Sequence, residues 1–216
     1  GTIVFPIRGY EIYHDFVNFL NKAKRLILVY QPAGLADEYF AEIDIIKLDK
    51  GGFSGGRLSI PVSFTCKTLF YTSEVFEYRI ARASKEVRFP FTWETKFNDL
   101  NKIYFDFDNT GHVPAPYKVS FTGYAVKPEM IIVQDGIELV HISLAITLES
   151  WDKFELSTYD GELYCRLNGA DAKSLLDFTN NNFDKLPVGV SEVYFLCEAG
   201  RLNNITMSLE KYYRSE

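Results

Sequence analysis

NTGHVPAPYKVSFTGYAVKP, residues 109–128, decides how the chain is divided. Asn109-Thr110-Gly111 is turn chemistry, because Asn and Gly accept backbone conformations that most residues resist. Pro114 and Pro116 come next. A proline fixes φ and offers no ladder donor, so a strand starts after the pair and does not run through it. YKVSFT then follows, Gly123 turns the chain again, and Pro128 punctuates the next start. The pattern restarts a β-fold midway along the chain. We place a domain boundary here, with residues 1–107 before it and 108–216 after it.

Working outward, everything beyond Asn109 has β texture: EMIIVQDG, IELVHISLAITL, DKFELSTYDG, ELYCRLNG, EVYFLCEAG and NNITMSLEKYY. Several of these runs end at a Gly preceded by Asp or Asn, the residues that tight turns select. TYDGEL at 158–163 is the strongest hairpin signal. Short strands at spacings near ten residues predict a sandwich or barrel, here a β-sandwich interrupted by one short helical piece, AKSLLDFT at 172–179.

Before the boundary the pattern is mixed. YHDFVNFLNKAKR predicts one α-helix over 13–25, with Phe16, Phe19 and Leu20 at helical spacing and Lys22, Lys24 and Arg25 suited to its last turn. RLILVYQ follows as a strand, and EYFAEIDIIKLDK and RLSIPVSFTCKTLFY form the arms of a hairpin. Between the arms, Gly51, Gly52, Phe53, Ser54, Gly55 and Gly56 form a glycine-rich tip, read as mobile and as a loop that orders against a neighbouring subunit or partner. The stretch Ser73–Asn101, with Phe89, Phe91, Trp93 and Phe97, is an edge or connecting segment, and KIYFDFDN closes the domain as a strand.

Composition narrows the function. The 216 residues are 47% hydrophobic and 24% charged, ordinary globular material for two domains. A net charge of −6 is the wrong sign for a general nucleic-acid binder, and no apolar run is long enough to insert in a membrane as a helix. The chain opens at Gly1 and not at Met, which reads as a processed form or a fragment with residues missing before Gly1. Cys66, Cys165 and Cys197 lack metal-site spacing and read as buried reduced thiols.

Catalytic constellations are absent from the pattern. His14, His112 and His141 have no second ligand at metal spacing. GGFSGG lacks the Lys-Ser/Thr and the following helix of a phosphate loop. Asp106 and Asp108 alternate with Phe105 and Phe107 as a solvent-facing edge, and nothing selects them as a glycosidase pair. Trp151, at a strand end, is either a sugar-stacking platform or a core anchor. We therefore expect no enzyme, no metal and no cofactor.

Taken in order, these signals resemble a known family. Asn109, Thr110 and Gly111, then Pro114, Pro116, Gly123 and Pro128, then Asp152 through Gly161, resemble the C-terminal domain of siphophage distal tail proteins. Asn181 through Gly189 and the closing Tyr212-Tyr213 continue the pattern. PVSFTCKTLFY resembles the close of the family's ring-forming domain, with Leu69 in place of the usual proline. The resemblance implies a mainly β chain of two β-sandwich-type domains, the first ring-forming with one helix and the second galectin-like. It implies a structural hub at the virion tail tip, made in the bacterial host cytoplasm. The implied hub is a homo-oligomer, a hexameric ring, between the tail tube protein and the tail-associated lysin or fibre protein, with receptor-binding proteins on the outer domains. The competing function is a carbohydrate-binding module for host wall saccharides, with Trp151 as its contact.

Overall fold

The computed structural model describes residues 1–6, 8–34, 36–49, 51–79, 102–177, 179 and 183–214. Two compact units divide the chain: Gly1–Thr72 with Tyr213–Glu216, and Ser73–Tyr212. The protein is mainly β, with one α-helix among the described residues.

In the first unit, β1 (Thr2–Phe5) leads into α1 (Gly9–Lys22), followed by β2 (Leu26–Tyr30), β3 (Tyr39–Leu48), β4 (Gly52–Ser54) and β5 (Arg57–Cys66). Alternation along β5 buries Leu58, Ile60 and Val62, and β1 pairs with it so that Phe5 lies opposite Leu58. α1 covers this small core with Tyr13 and Phe16, whose rings sit 5.9 and 5.7 Å from that of Phe5. The helix starts four residues before the sequence pattern indicates and stops three residues sooner. At its start the helix makes a close approach invisible in local pattern: a Cβ on Gly9 would lie 2.6 Å from that of Leu58. Its end comes at Ala23, which turns extended to feed β2, while Arg25 is drawn to Glu42 at 2.9 Å.

The glycine-rich tip is not an open loop. Gly52–Ser54 is a strand paired with Arg57–Ser59, and Gly55-Gly56 make the two-residue turn. Their φ values of 57° and 76° match a type I′ turn, whose twist suits a hairpin. Glycine here supplies a required conformation and a required clearance. A Cβ on Gly51 would stand 2.0 Å from the Ser59 carbonyl oxygen.

β6 (Phe70–Arg79) contributes its Ser73–Arg79 part to the second unit. That unit continues with β7 (Lys102–Asn109), β8 (Tyr117–Thr122), β9 (Ala125–Val126), β10 (Glu129–Gln134), β11 (Ile137–Ser143) and β12 (Thr147–Leu148). β13 (Lys153–Ser157), β14 (Tyr164–Leu167), β15 (Ala170–Asp171), β16 (Gly189–Leu196), β17 (Ala199–Gly200) and β18 (Asn204–Tyr213) complete it. One sheet runs β11-β10-β16-β7, and β6-β18-β8-β13-β14-β15 line up opposite it. A small sheet, β12-β9-β17, closes one corner.

Period-two alternation builds the core. Tyr117, Val119 and Phe121 point inward from β8, Ile205, Met207 and Leu209 from β18, and Val193 and Phe195 from β16. Phe121 meets Phe195 edge-on at 5.9 Å across the two layers and stacks on Phe154 at 4.8 Å. Asp106 and Asp108 face solvent while Phe105 and Phe107 are buried. Asp135-Gly136 and Asn168-Gly169 repeat the positive φ pair of Gly55-Gly56, closing the β10–β11 and β14–β15 hairpins. TYDGEL joins β13 to β14, with the Glu162 amide donating to Tyr159 O at 3.0 Å.

The boundary placed at 107/108 falls inside β7, whereas the compact units divide at Thr72/Ser73. β7 pairs along its full length with β16, from Lys102 opposite Leu196 to Asn109 opposite Gly189. NTGHVPAP therefore carries the chain from one layer of the sandwich to the other. Turn residues that restart a strand look alike whether they join two domains or two sheets of one domain.

Asn109 holds this crossover. It is fully buried, and its side-chain amide donates to the carbonyls of Val113 (3.1 Å), Leu186 (3.2 Å) and Pro187 (3.1 Å). Its Oδ1 accepts from the Gly111 amide at 3.0 Å. Only a 3₁₀ turn, Lys173–Leu175, remains of the expected helical piece. Trp93 and the aromatic residues around it lie outside the described residues. Cys165 is buried and its thiol is pushed up to about 12 by desolvation, whereas Cys66 is exposed, contrary to expectation.

Candidate assembly surface

The smaller first unit hides its apolar side chains poorly. Eleven of the nineteen large apolar side chains that are exposed among the described residues belong to it, from Val4 to Leu69. Exposed apolar side chains that gather into a patch mark interaction sites. β2, LILVY, carries no charge, exposes Ile27, Val29 and Tyr30, and pairs only with β3 among the described residues. An uncharged edge strand with free backbone groups is a template for pairing with another chain.

A groove of about 420 Å³ runs between the C-terminal turn of α1 and the second half of β3. Val17, Leu20, Leu26 and Ile46 give it apolar walls, and Lys24, Arg25, Lys47 and Lys67 also line it. Ile46 is there because of a β-bulge. Ile45 lies opposite Phe64 and Lys47 opposite Ser63, so Ile46 is the unpaired extra residue, left 68% exposed. Arg25 and Lys67 are held by acidic neighbours, Lys67 at 2.9 Å from Asp44 and 3.6 Å from Glu42. The hydrogen bond to Asp44 keeps the Lys67 ammonium above the usual lysine range. Lys47 pairs with Asp49, while Lys24 has no ion-pair partner among the described residues.

Further along the same strand arm lies a smaller hollow of about 270 Å³, lined by Tyr10, Tyr13, Leu48, Asp49 and Gly51 among others. Here Phe53, from the glycine-rich tip, stacks on Tyr10 with centroids 6.3 Å apart and planes within 17°. Both rings stay mostly in solvent, at 57% and 64% exposure.

Trp151 belongs to the second unit and is a separate candidate. It is 75% exposed, so it is no core anchor. It rides on the turn Glu149–Asp152, closed by the Asp152 amide to Glu149 O (3.0 Å) and the Glu149 amide to Asp152 Oδ2 (2.8 Å). Asn168 donates to Asp152 Oδ1 at 2.8 Å, and this bond, with that from the Glu149 amide, holds the carboxyl below its usual range. The turn thus presents a bare indole to solvent.

Among the described residues no group of three His, Cys, Asp or Glu side chains is placed to hold a metal ion, and no helix is long and apolar enough to cross a membrane. The sequence pattern singles out Gly51–Gly56 but not Tyr10, Lys24 or Ile46. The doublet Ile45-Ile46 is the available signal, because it breaks the alternation of EIDIIKL where the bulge occurs.

Comparison with known proteins fits this picture. Residues 1–67 match the family model for the distal tail protein N-terminal domain. None of the curated proteins matches the chain. Among solved structures, a chain of the phage P2 baseplate in its activated conformation with Ca aligns at TM-score 0.55 and 15% identity, over 98% of this chain and 79% of that one. The Dit protein of phage SPP1, described as a paradigm of the hub adsorption apparatus in phages infecting Gram-positive bacteria, aligns at TM-score 0.57 and 12% identity, over 97% and 76%. At such identities the likeness is one of fold. Residues 1–67 thus match the N-terminal domain of distal tail proteins, on a chain whose fold is like that of the phage distal tail proteins.

Proposed function

We propose that the chain is a structural hub of a phage tail tip, with no catalytic role. Copies of the first unit associate into a closed ring, hexameric as the family resemblance implies, and the second unit is the ring's galectin-like sandwich. One ring face meets the tail tube protein and the other the tail-associated lysin or fibre protein, with receptor-binding proteins carried by the sandwich. The observation that supports this reading is the uncovered apolar surface and open β2 edge of the first unit. A closed ring removes both liabilities at once.

Light scattering over a wide concentration range tests it. The expected species is near six times the 24.8 kDa chain mass. A mass of one chain at every concentration overturns the ring.

Trp151 supports a second role for the sandwich, contact with host wall saccharide. Trp151→Ala should then lose roughly tenfold in affinity for wall polysaccharide in a titration, since stacking on one aromatic ring is worth about 1–2 kcal/mol. Equal binding by both forms removes the role.

A further inference from the structure

We infer that the contact between copies is heterologous, with the Tyr10–Phe53 aromatic knob of one copy seated in the Ile46 groove of the next. This rests on the ring reading and names the surfaces that make it.

The two patches are complementary in shape and chemistry. Phe53 belongs to a tight two-residue hairpin and stacks on Tyr10, so the two rings form one exposed aromatic pair. The groove is concave, within the size range of pockets that enclose a small-molecule ligand. Glu11 is exposed next to Tyr10 in the first turn of α1, where negative charge is favoured, with the Arg8 guanidinium 3.9 Å away. Lys24 follows the other end of the same helix, beside the groove. An ammonium placed over an exposed aromatic face is attracted by the ring, more strongly as water leaves. The knob supplies two such faces and the groove an ammonium without an ion-pair partner among the described residues.

Geometry forbids the two patches from meeting within one chain. Tyr10 lies near the start of α1 and Lys24 two residues beyond its end at Lys22, and the twelve residues from Tyr10 to Lys22 alone span about 18 Å at a 1.5 Å rise. Each patch therefore needs a second copy. A contact between unlike patches passes from copy to copy, and closes into a ring when the rotation allows. The bulge at Ile46 is then explained: it turns out of the sheet an isoleucine that regular pairing would have kept in register.

Two variants, Ile46→Asp and Phe53→Asp, test the assignment by light scattering. Each substitutes an exposed side chain, so each should remain a folded monomer with a cooperative melting transition, at a lower temperature than the ring that association stabilises. Mixed in equal amounts, they should recover a species of twice the chain mass, because the intact groove of one meets the intact knob of the other. Wild-type protein that is itself monomeric overturns the ring and this contact together. Oligomeric wild type with both variants still oligomeric leaves the ring and overturns the contact. Two folded monomeric variants that stay monomeric when mixed also overturn it, since the patches then serve different contacts.

Discussion

Asn109→Ala should lower the stability of the second unit by about 3–5 kcal/mol, because it removes four hydrogen bonds made by one fully buried side chain. In the native crossover one buried amide serves the carbonyls of Val113, Leu186 and Pro187, and its oxygen serves the Gly111 amide. Each buried polar group left without a partner costs roughly 1–3 kcal/mol. Leu186 O keeps its bond from the Ala115 amide at 2.8 Å, so the loss is less than the full sum. For a unit of this size the melting temperature should fall by about 10 °C or more. Asn109→Asp sharpens the test, because a carboxylate has no donor for three carbonyls. Burial raises such a carboxyl's pKa in the folded state. Its deficit should therefore be smallest at low pH and grow as pH rises through the carboxylate range. An alanine variant with the wild-type melting temperature would show that Asn109 does not hold the crossover.

Gly123→Ala is the second large effect, expected at about 3–5 kcal/mol from backbone strain and overpacking together. Gly123 has φ near +132°, a region in which an L side chain is strained. A Cβ there would lie 2.5 Å from Arg201 O and 2.7 Å from Asn203 N, both backbone atoms. The strands on either side are tied by bonds from the Arg201 amide to Tyr124 O (2.6 Å) and the Asn203 amide to Thr122 O (2.8 Å). The methyl group must push between these two bonds, so both lengthen. Gly136→Ala is the matched control. It has φ near +77° but open space around the Cβ position, so it should cost only about 1–2 kcal/mol. Denaturant titration of both variants decides the point, and equal losses would refute the steric argument.

Much of the sandwich is legible in the sequence because its signals are local. Alternation in YKVSFT and KIYFDFDN names the buried face without reference to any partner strand, and Asp135-Gly136 and Asn168-Gly169 announce their own turns. What escapes reading depends on contacts distant in sequence. The start of α1 packs closely on Leu58, nearly fifty residues away, and β1 owes its place to pairing with β5. The crossover at Asn109 reads as punctuation, but its bonds to Leu186 and Pro187 make it a seam within one unit. Trp151 stands out as a candidate while its exposure does not, since solvent access at a strand end depends on the fold around it. The assembly surface is half legible. The glycines mark its tip, but the groove exists only where α1 passes β3.

The division of the chain carries an evolutionary consequence. The first unit is built from Gly1–Thr72 and the chain's last residues, so the second unit is a continuous insert within it. The chain enters that insert along β6 and leaves along β18, and these two strands are hydrogen-bonded neighbours. An insert whose ends lie side by side can be exchanged by recombination without stretching its host. Selection can then renew the sandwich while the first unit is inherited unchanged.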